Sequence, residues 1–275
     1  MSDATTGALH ALVLAGRRSA DERSPGGSER HKALEPVDGV AMLERVVGAL
    51  EATGRFASIT VSSDDPSLVR ATPALAASAE RGVLRFAASG ASPAASVAAF
   101  LASAGASGPV LATAADHALL QPRWVEHFLE AAEASGADAV VALVEAGVFR
   151  REFPDARRTF IPLRGSAVSG ANLFLFRPPR GAEVARFWVR AEAFRKRPWR
   201  MVATFGPLVL LRFLLRRLDL DGALAAAGRV IGARIAAVRM PFAESAIDVD
   251  TPEDLVLANR LLAARRADQS SASAS

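Results

Sequence analysis

Cysteine is absent from the 275-residue chain, which excludes disulfides and thiolate metal sites. Lysine is nearly absent: Lys32 and Lys196 stand against thirty-one arginines. The two common glycine-rich nucleotide loops are missing as well, since neither GxxxxGK followed by Ser or Thr nor GxGxxG occurs. The first residues, MSDATTGALHALVLAG, carry no basic stretch, and their apolar run is too short for a signal peptide or a membrane span. A cytoplasmic location is therefore expected. No recognised nucleic-acid module is present, so a nucleic-acid partner is not expected.

Half of the chain is apolar, enough for the core of one large α/β domain. Short apolar runs alternate with helical patterns. Strands are expected at 8–15, 58–62, 83–87, 109–113 and 138–144, with helices at 40–52, 66–79, 93–104 and 122–135. Further strands are expected at 159–163 and 172–176, around the turn RGSAVSG, and at 234–240, before a final helix to about Arg265. Alternation of this kind predicts a largely parallel sheet covered on both faces. Chemistry then belongs in the loops at the carboxyl ends of the strands.

Four places carry candidate chemistry. After the first strand, the turn at Ala15-Gly16 and the arginine-rich loop through Arg17, Arg18, Arg23 and Arg30 lead to Lys32. Backbone N–H groups there suit phosphate oxygens, and a lysine ammonium acts on phosphate as a compact point charge. The alternative is a solvated surface loop. Asp116 follows the strand PVLAT at its C-terminus, where a carboxylate can hold Mg²⁺ against phosphate, and it lies too early to cap the helix at Pro122. His117 beside it reads as a polar neighbour. In AIDVDTPEDL, Thr251 and Pro252 read as a helix start, which leaves Asp248 and Asp250 as metal-ligand candidates. SGASPAASVAAFL, with Gly90 and Ser96, offers small residues against a flat base, or simply a capped helix. SGANLF offers the amide of Asn172 to an acceptor, or is an ordinary turn.

In this order the pieces resemble the MobA-like nucleotidyltransferases. LAG, HKAL and GVAMLERVVGAL resemble that family's opening pattern, LAGGxSxRMGxDKxLxxxxGxPLLxxxxxxL. SGASPAASVAAFL is similar to the base-binding segment of methylerythritol-phosphate cytidylyltransferases. VLATAADHALL and IDVDTPEDL resemble the strand ending in the metal-binding aspartate and the closing motif. The resemblance covers 8–145 and 234–265. It implies a three-layer α/β/α sandwich with a mixed, mainly parallel sheet, of the glycosyltransferase A type. It implies Mg²⁺-dependent transfer of a nucleoside monophosphate from a triphosphate to a phosphorylated acceptor, with release of pyrophosphate.

Carried over, Ala15, Gly16 and Arg17 would contact the nucleotide, Lys32 its phosphates, and Gly90 and Ser96 the base or ribose. Asp116 and Asp248 would hold the metal, with Asp250 as second choice. CTP is favoured over GTP. Arg17 replaces the second glycine of LAGG, the RMG element is missing, the loop to Lys32 is long, and Asp116-His117-Ala118 replaces DxP. These departures argue against the molybdenum-cofactor and isoprenoid-precursor substrates. A glycosyltransferase of the same fold and a non-catalytic nucleotide-binding regulator are the alternatives.

The expected organisation is one domain over 1–266 with a basic helical insertion at 180–230, then a disordered polar tail at 267–275. From Arg186 to Arg217 there are nine Lys/Arg and one acid, Glu192, together with Trp188 and Trp199. Arg212 interrupts the apolar run well short of the ~20 residues needed to span a bilayer. Two readings stay open: helices packed on the sheet with solvated arginines, or a helix lying at the anionic inner face of a membrane, with a lipid head-group precursor as acceptor.

Overall fold

A computed structural model describes residues 7–16, 31–103, 108–192 and 198–273. Its centre is β1 (His10–Leu14), flanked by β4 (Ser58–Ser63) on one side and β6 (Val110–Ala114) on the other, both parallel to it. β5 (Leu84–Ala88) continues parallel beyond β4. Past β6 the direction changes. β9 (Ser166–Phe176) runs antiparallel to both β6 and β7 (Ala139–Glu145), and β10 (Ile235–Arg239) lies parallel to β7 at the edge. β8 (Ile161–Leu163) forms a hairpin with β9, completing an eight-stranded mixed sheet. β2 (Pro36–Val37) and β3 (Val40–Ala41) form a separate two-stranded ribbon.

The period-two alternation of the strands sends side chains to two cores. Ala11, Val13 and Leu111 face α1 (Met42–Ala52), α4 (Pro122–Ser135) and α10 (Pro252–Ser273). Leu12, Val110 and Ala112 face α3 (Pro93–Ala102) and α6 (Arg180–Glu192). The spacing of Met42, Leu43, Val46, Val47 and Leu50 does what it predicts, since all five are buried on one face of α1. In α4, Trp124 and Phe128 are fully buried; truncating such a ring to Ala costs about 3–5 kcal/mol.

Several elements differ from the sequence reading. The helix expected over 66–79 is a 3-10 turn at Pro66–Arg70 followed by α2 (Pro73–Glu80). Asp65 and Thr72 each cap a new start, and each is followed by a proline without an N–H to continue a helix. The helix expected from residue 40 begins at Met42, because Val40 and Ala41 pair with Val37 and Pro36. RGSAVSG is mostly strand, and only Arg164 and Gly165 form the β8–β9 turn, Gly165 at φ +81. α5 (Ala146–Glu152) directly follows β7 and had no expectation. α10 continues to Ser273, through the part of 267–275 that the structure describes.

The basic segment is helical: after α6 come α7 (Pro198–Ala203), α8 (Pro207–Leu214) and α9 (Leu220–Ile231). Among the described residues no helix is long and apolar enough to cross a membrane.

Candidate active site

Strand order reverses beside β1, with β4 to one side and β6 to the other, and a cleft of about 620 Å³ opens at the carboxyl ends of these strands. Backbone ladders fix its floor. The Ala15 N–H donates to the Ser62 carbonyl, and the Ala115 N–H donates to the Leu14 carbonyl. Gly16 faces Ser89, and a Cβ there would lie 3.0 Å from the Ser89 Cβ, so the first turn and the loop after β5 interlock. Arg17 and the other loop arginines, 18, 23 and 30, lie outside the described residues.

Lys32 returns to the cleft on a short 3-10 turn, Lys32–Leu34, whose start is capped by the His31 imidazole accepting from the Ala33 N–H. Its Nζ donates to Asp116 Oδ2 at 2.8 Å and to Asp250 Oδ1 at 2.5 Å. Burial pulls the ammonium down, but the Asp116 and Asp250 carboxylates outweigh it and hold its pKa above the ordinary value. Lys32 is therefore a fixed positive charge at neutral pH.

Asp116, from the middle of the chain after β6, meets Asp248 and Asp250, which precede α10. The Val249 N–H donates to the Asp116 carbonyl at 2.9 Å and brings the two segments together. Asp248 accepts from Arg158 Nη2 at 2.8 Å and from the Asn172 amide. Burial pushes the Asp248 carboxyl up to about 7, with Asp116 and Asp250 pushing the same way and Arg158 opposing. Asn172 sits at φ +48, within β9 where its register against β7 shifts. That irregular backbone directs its amide toward Asp248, as bulges near sites commonly do.

The other candidates have structural work of their own. Gly90 donates its N–H to the buried Ser96 Oγ at 2.9 Å, and a Cβ at Gly90 would lie 2.9 Å from the Ala95 and Ser96 backbone. Glycine is required there by the first turn of α3. His117 is wholly buried against Trp124, and burial lowers its pKa to about 4, so it stays neutral. Thr251 and Asp254 form a reciprocal cap on α10, which leaves the Asp250 side chain available to Lys32.

Sequence reasoning missed Arg158, and it missed the contribution of α6. Trp188 packs on Phe174 with ring centroids 4.9 Å apart and planes tilted by 33°, and it lines the cleft. Glu192 accepts from the Ala94 N–H at the start of α3 and lines it too. The first helix of the basic segment is thus a wall of the site.

A family model described as the MobA-like NTP transferase domain matches residues 11–234. The chain belongs to this family. It is an enzyme of the nucleotidyltransferase class. This MobA-like transferase is similar to a hypothetical transferase from Thermus thermophilus, at 29% identity and TM-score 0.73, over 90% of this chain and 100% of that one. It shares its fold with 4-diphosphocytidyl-2C-methyl-D-erythritol synthase from Anaerococcus prevotii, at 12% identity and TM-score 0.54, covering 93% of this chain and 98% of that one. CMP:2-keto-3-deoxy-manno-octonic acid synthetase, complexed with CTP, has the fold as well, at 14% identity and TM-score 0.56, covering 94% and 100%. No curated protein matches the chain.

Proposed function

We propose that the enzyme transfers a nucleoside monophosphate from CTP, or less favourably GTP, to a phosphorylated small molecule or lipid head-group precursor. The observation that carries this reading is Lys32, a charged ammonium fixed at the mouth of β1 beside the carboxylates of Asp116 and Asp250. CTP is preferred because the Ser89–Leu101 segment resembles that of cytidylyltransferases. One of the two fold relatives is a synthase of a diphosphocytidyl compound, and the other is complexed with CTP.

In the reaction, an acceptor phosphate oxygen attacks the α-phosphorus. A new P–O bond forms, the bond to the bridging oxygen of the β-phosphate breaks, and pyrophosphate leaves. Negative charge gathers on the α-phosphate oxygens and on the leaving group. Lys32 stabilises that charge from a fixed position, without reorganising solvent. The Ala15 N–H is committed to the Ser62 carbonyl, so at this turn it is the Gly16 N–H that would orient the phosphates.

Three carboxylates face the two cations Lys32 and Arg158, one positive charge fewer than negative. An all-oxygen donor set of this kind suits Mg²⁺. Among the described residues no three acidic or imidazole side chains enclose an ion by themselves. Asp116 and Asp248, with Asp250 as second choice, would hold Mg²⁺ together with substrate phosphates and water, its usual mode of binding. Bound there, Mg²⁺ supplies further positive charge to the phosphate oxygens.

The test is pyrophosphate release from each of the four NTPs with Mg²⁺ against a panel of phosphorylated acceptors. Release tied to one NTP and one acceptor supports the reading. Turnover of a nucleotide-sugar donor without pyrophosphate would replace it with a glycosyltransferase.

A further inference from the structure

From Ala193 to Leu218 the sequence contains no acidic residue and seven Lys/Arg. The structure separates this stretch from the α6 wall. α6 buries Ala185 and sets Trp188 against Phe174 and Phe176, so it is packed on the sheet. α7 and α8 pack chiefly on each other, and Phe205 against Phe187 joins the pair to α6. α8, PLVLLRFL, buries none of its residues. Leu208, Leu211 and Leu214 are 60%, 52% and 62% exposed, and Leu215 and Trp199 are exposed beside them. Arg200, Arg212, Arg216 and Arg217 are exposed around this apolar face, and none makes an ion pair with a described acidic residue.

We propose that the α7–α8 hairpin is a docking element for an anionic lipid bilayer, lying in the head-group layer without crossing it. Adjacent leucines with no core to enter suit the acyl boundary, and the surrounding arginines suit lipid phosphates. A second copy of this chain is the weaker occupant, because stacking the two faces would bring their arginines together with no acid to offset them. Phosphates of a nucleic acid would match the arginines but leave the leucines in water. Because the chain runs from the cleft wall α6 into this hairpin, docking would hold the cleft beside the membrane surface. The proposal stands apart from the transferase reading, since binding to lipid needs neither nucleotide nor acceptor.

The test is co-sedimentation of the full chain with phosphatidylcholine vesicles and with mixed phosphatidylcholine–phosphatidylglycerol vesicles, without nucleotide. Binding to the anionic vesicles alone, weakened by added salt, is expected. Arg212→Glu/Arg216→Glu/Arg217→Glu and Leu208→Ser/Leu211→Ser/Leu214→Ser should each lower partitioning at least about tenfold, with an unchanged circular-dichroism melt. The wild-type comparison of vesicles and salt decides the matter even if a variant folds poorly. No anionic binding, or equal binding to neutral vesicles, would overturn the proposal. A stable dimer in light scattering that the leucine variant dissociates would overturn it too, and would assign the face to a second copy.

Discussion

Lys32 donates to two carboxylates at once from one compact ammonium, a point charge that a flat, wider guanidinium would not place at the same spot. In a chain that uses arginine nearly everywhere else, Lys32→Arg is therefore expected to lower the rate of pyrophosphate release about 10²–10³-fold, read by steady-state kinetics. His117 gives a second residue-scale expectation, this one in stability. Its folded pKa of about 4 lies below the ordinary 6.5, so between those values the unfolded chain binds a proton that the native state refuses. Its contribution is fully present above pH 6.5 and is lost as the pH falls toward 4, a change of about 3 kcal/mol at most. The Asp248 carboxyl, raised to about 7, contributes the opposite slope over the same range, so the His117 share is read as the difference between wild type and His117→Phe, which keeps a ring against Trp124; in urea unfolding the variant should gain on the wild type as the pH falls from 6.5 toward 4. Lys32, Asp116, Asp248 and Asp250 were legible in the sequence because each is a charged group at the end of an apolar strand or beside a helix start. Arg158 was not, since it sits in a run of loop residues with no pattern to single it out. Its partners Ser169 and Asp248 are set by the fold.

At the scale of elements, the loop between β5 and α3 is held by its own small residues. Gly90 has backbone 2.9 Å from where a Cβ would stand, so Gly90→Ala must shift the first turn of α3. The expected cost is about 1–3 kcal/mol in thermal or urea unfolding, with weaker nucleotide binding, because the same loop lines the cleft. An unchanged stability would show that the loop yields more easily than its contacts imply. The α1 and α4 patterns were readable because a helix buried on one face repeats its apolar residues every three or four positions. The 66–79 segment misled because its alanines and leucines suit a helix on either side of Pro73, although the break that Thr72 and Pro73 impose is itself written in the sequence. β9 misled for another reason. Its small polar start, SAVSG, reads as a turn, yet β8 and β7 supply partners for those backbone groups.

Over the whole molecule, alternating strands and helices foretold a sheet with both faces covered, but not its order. The placement of β9 antiparallel between β6 and β7 depends on long-range pairing that no local pattern encodes. That same order leaves a reversal beside β1, and there residues 16, 32, 116, 172 and 248 meet in one cleft. The basic segment proved to have two parts. α6 joins the core and walls the cleft, while the α7–α8 hairpin keeps its leucines exposed. The central claim is that this cleft is a nucleoside triphosphate site organised around Lys32. It is tested most directly by calorimetric titration of the wild type and Lys32→Ala with each of the four NTPs and Mg²⁺, with no acceptor present. Binding of CTP or GTP by the wild type, lost or weakened at least about tenfold in Lys32→Ala, is the expected result. No binding of any NTP by the wild type, or equal binding by the two proteins, would contradict it.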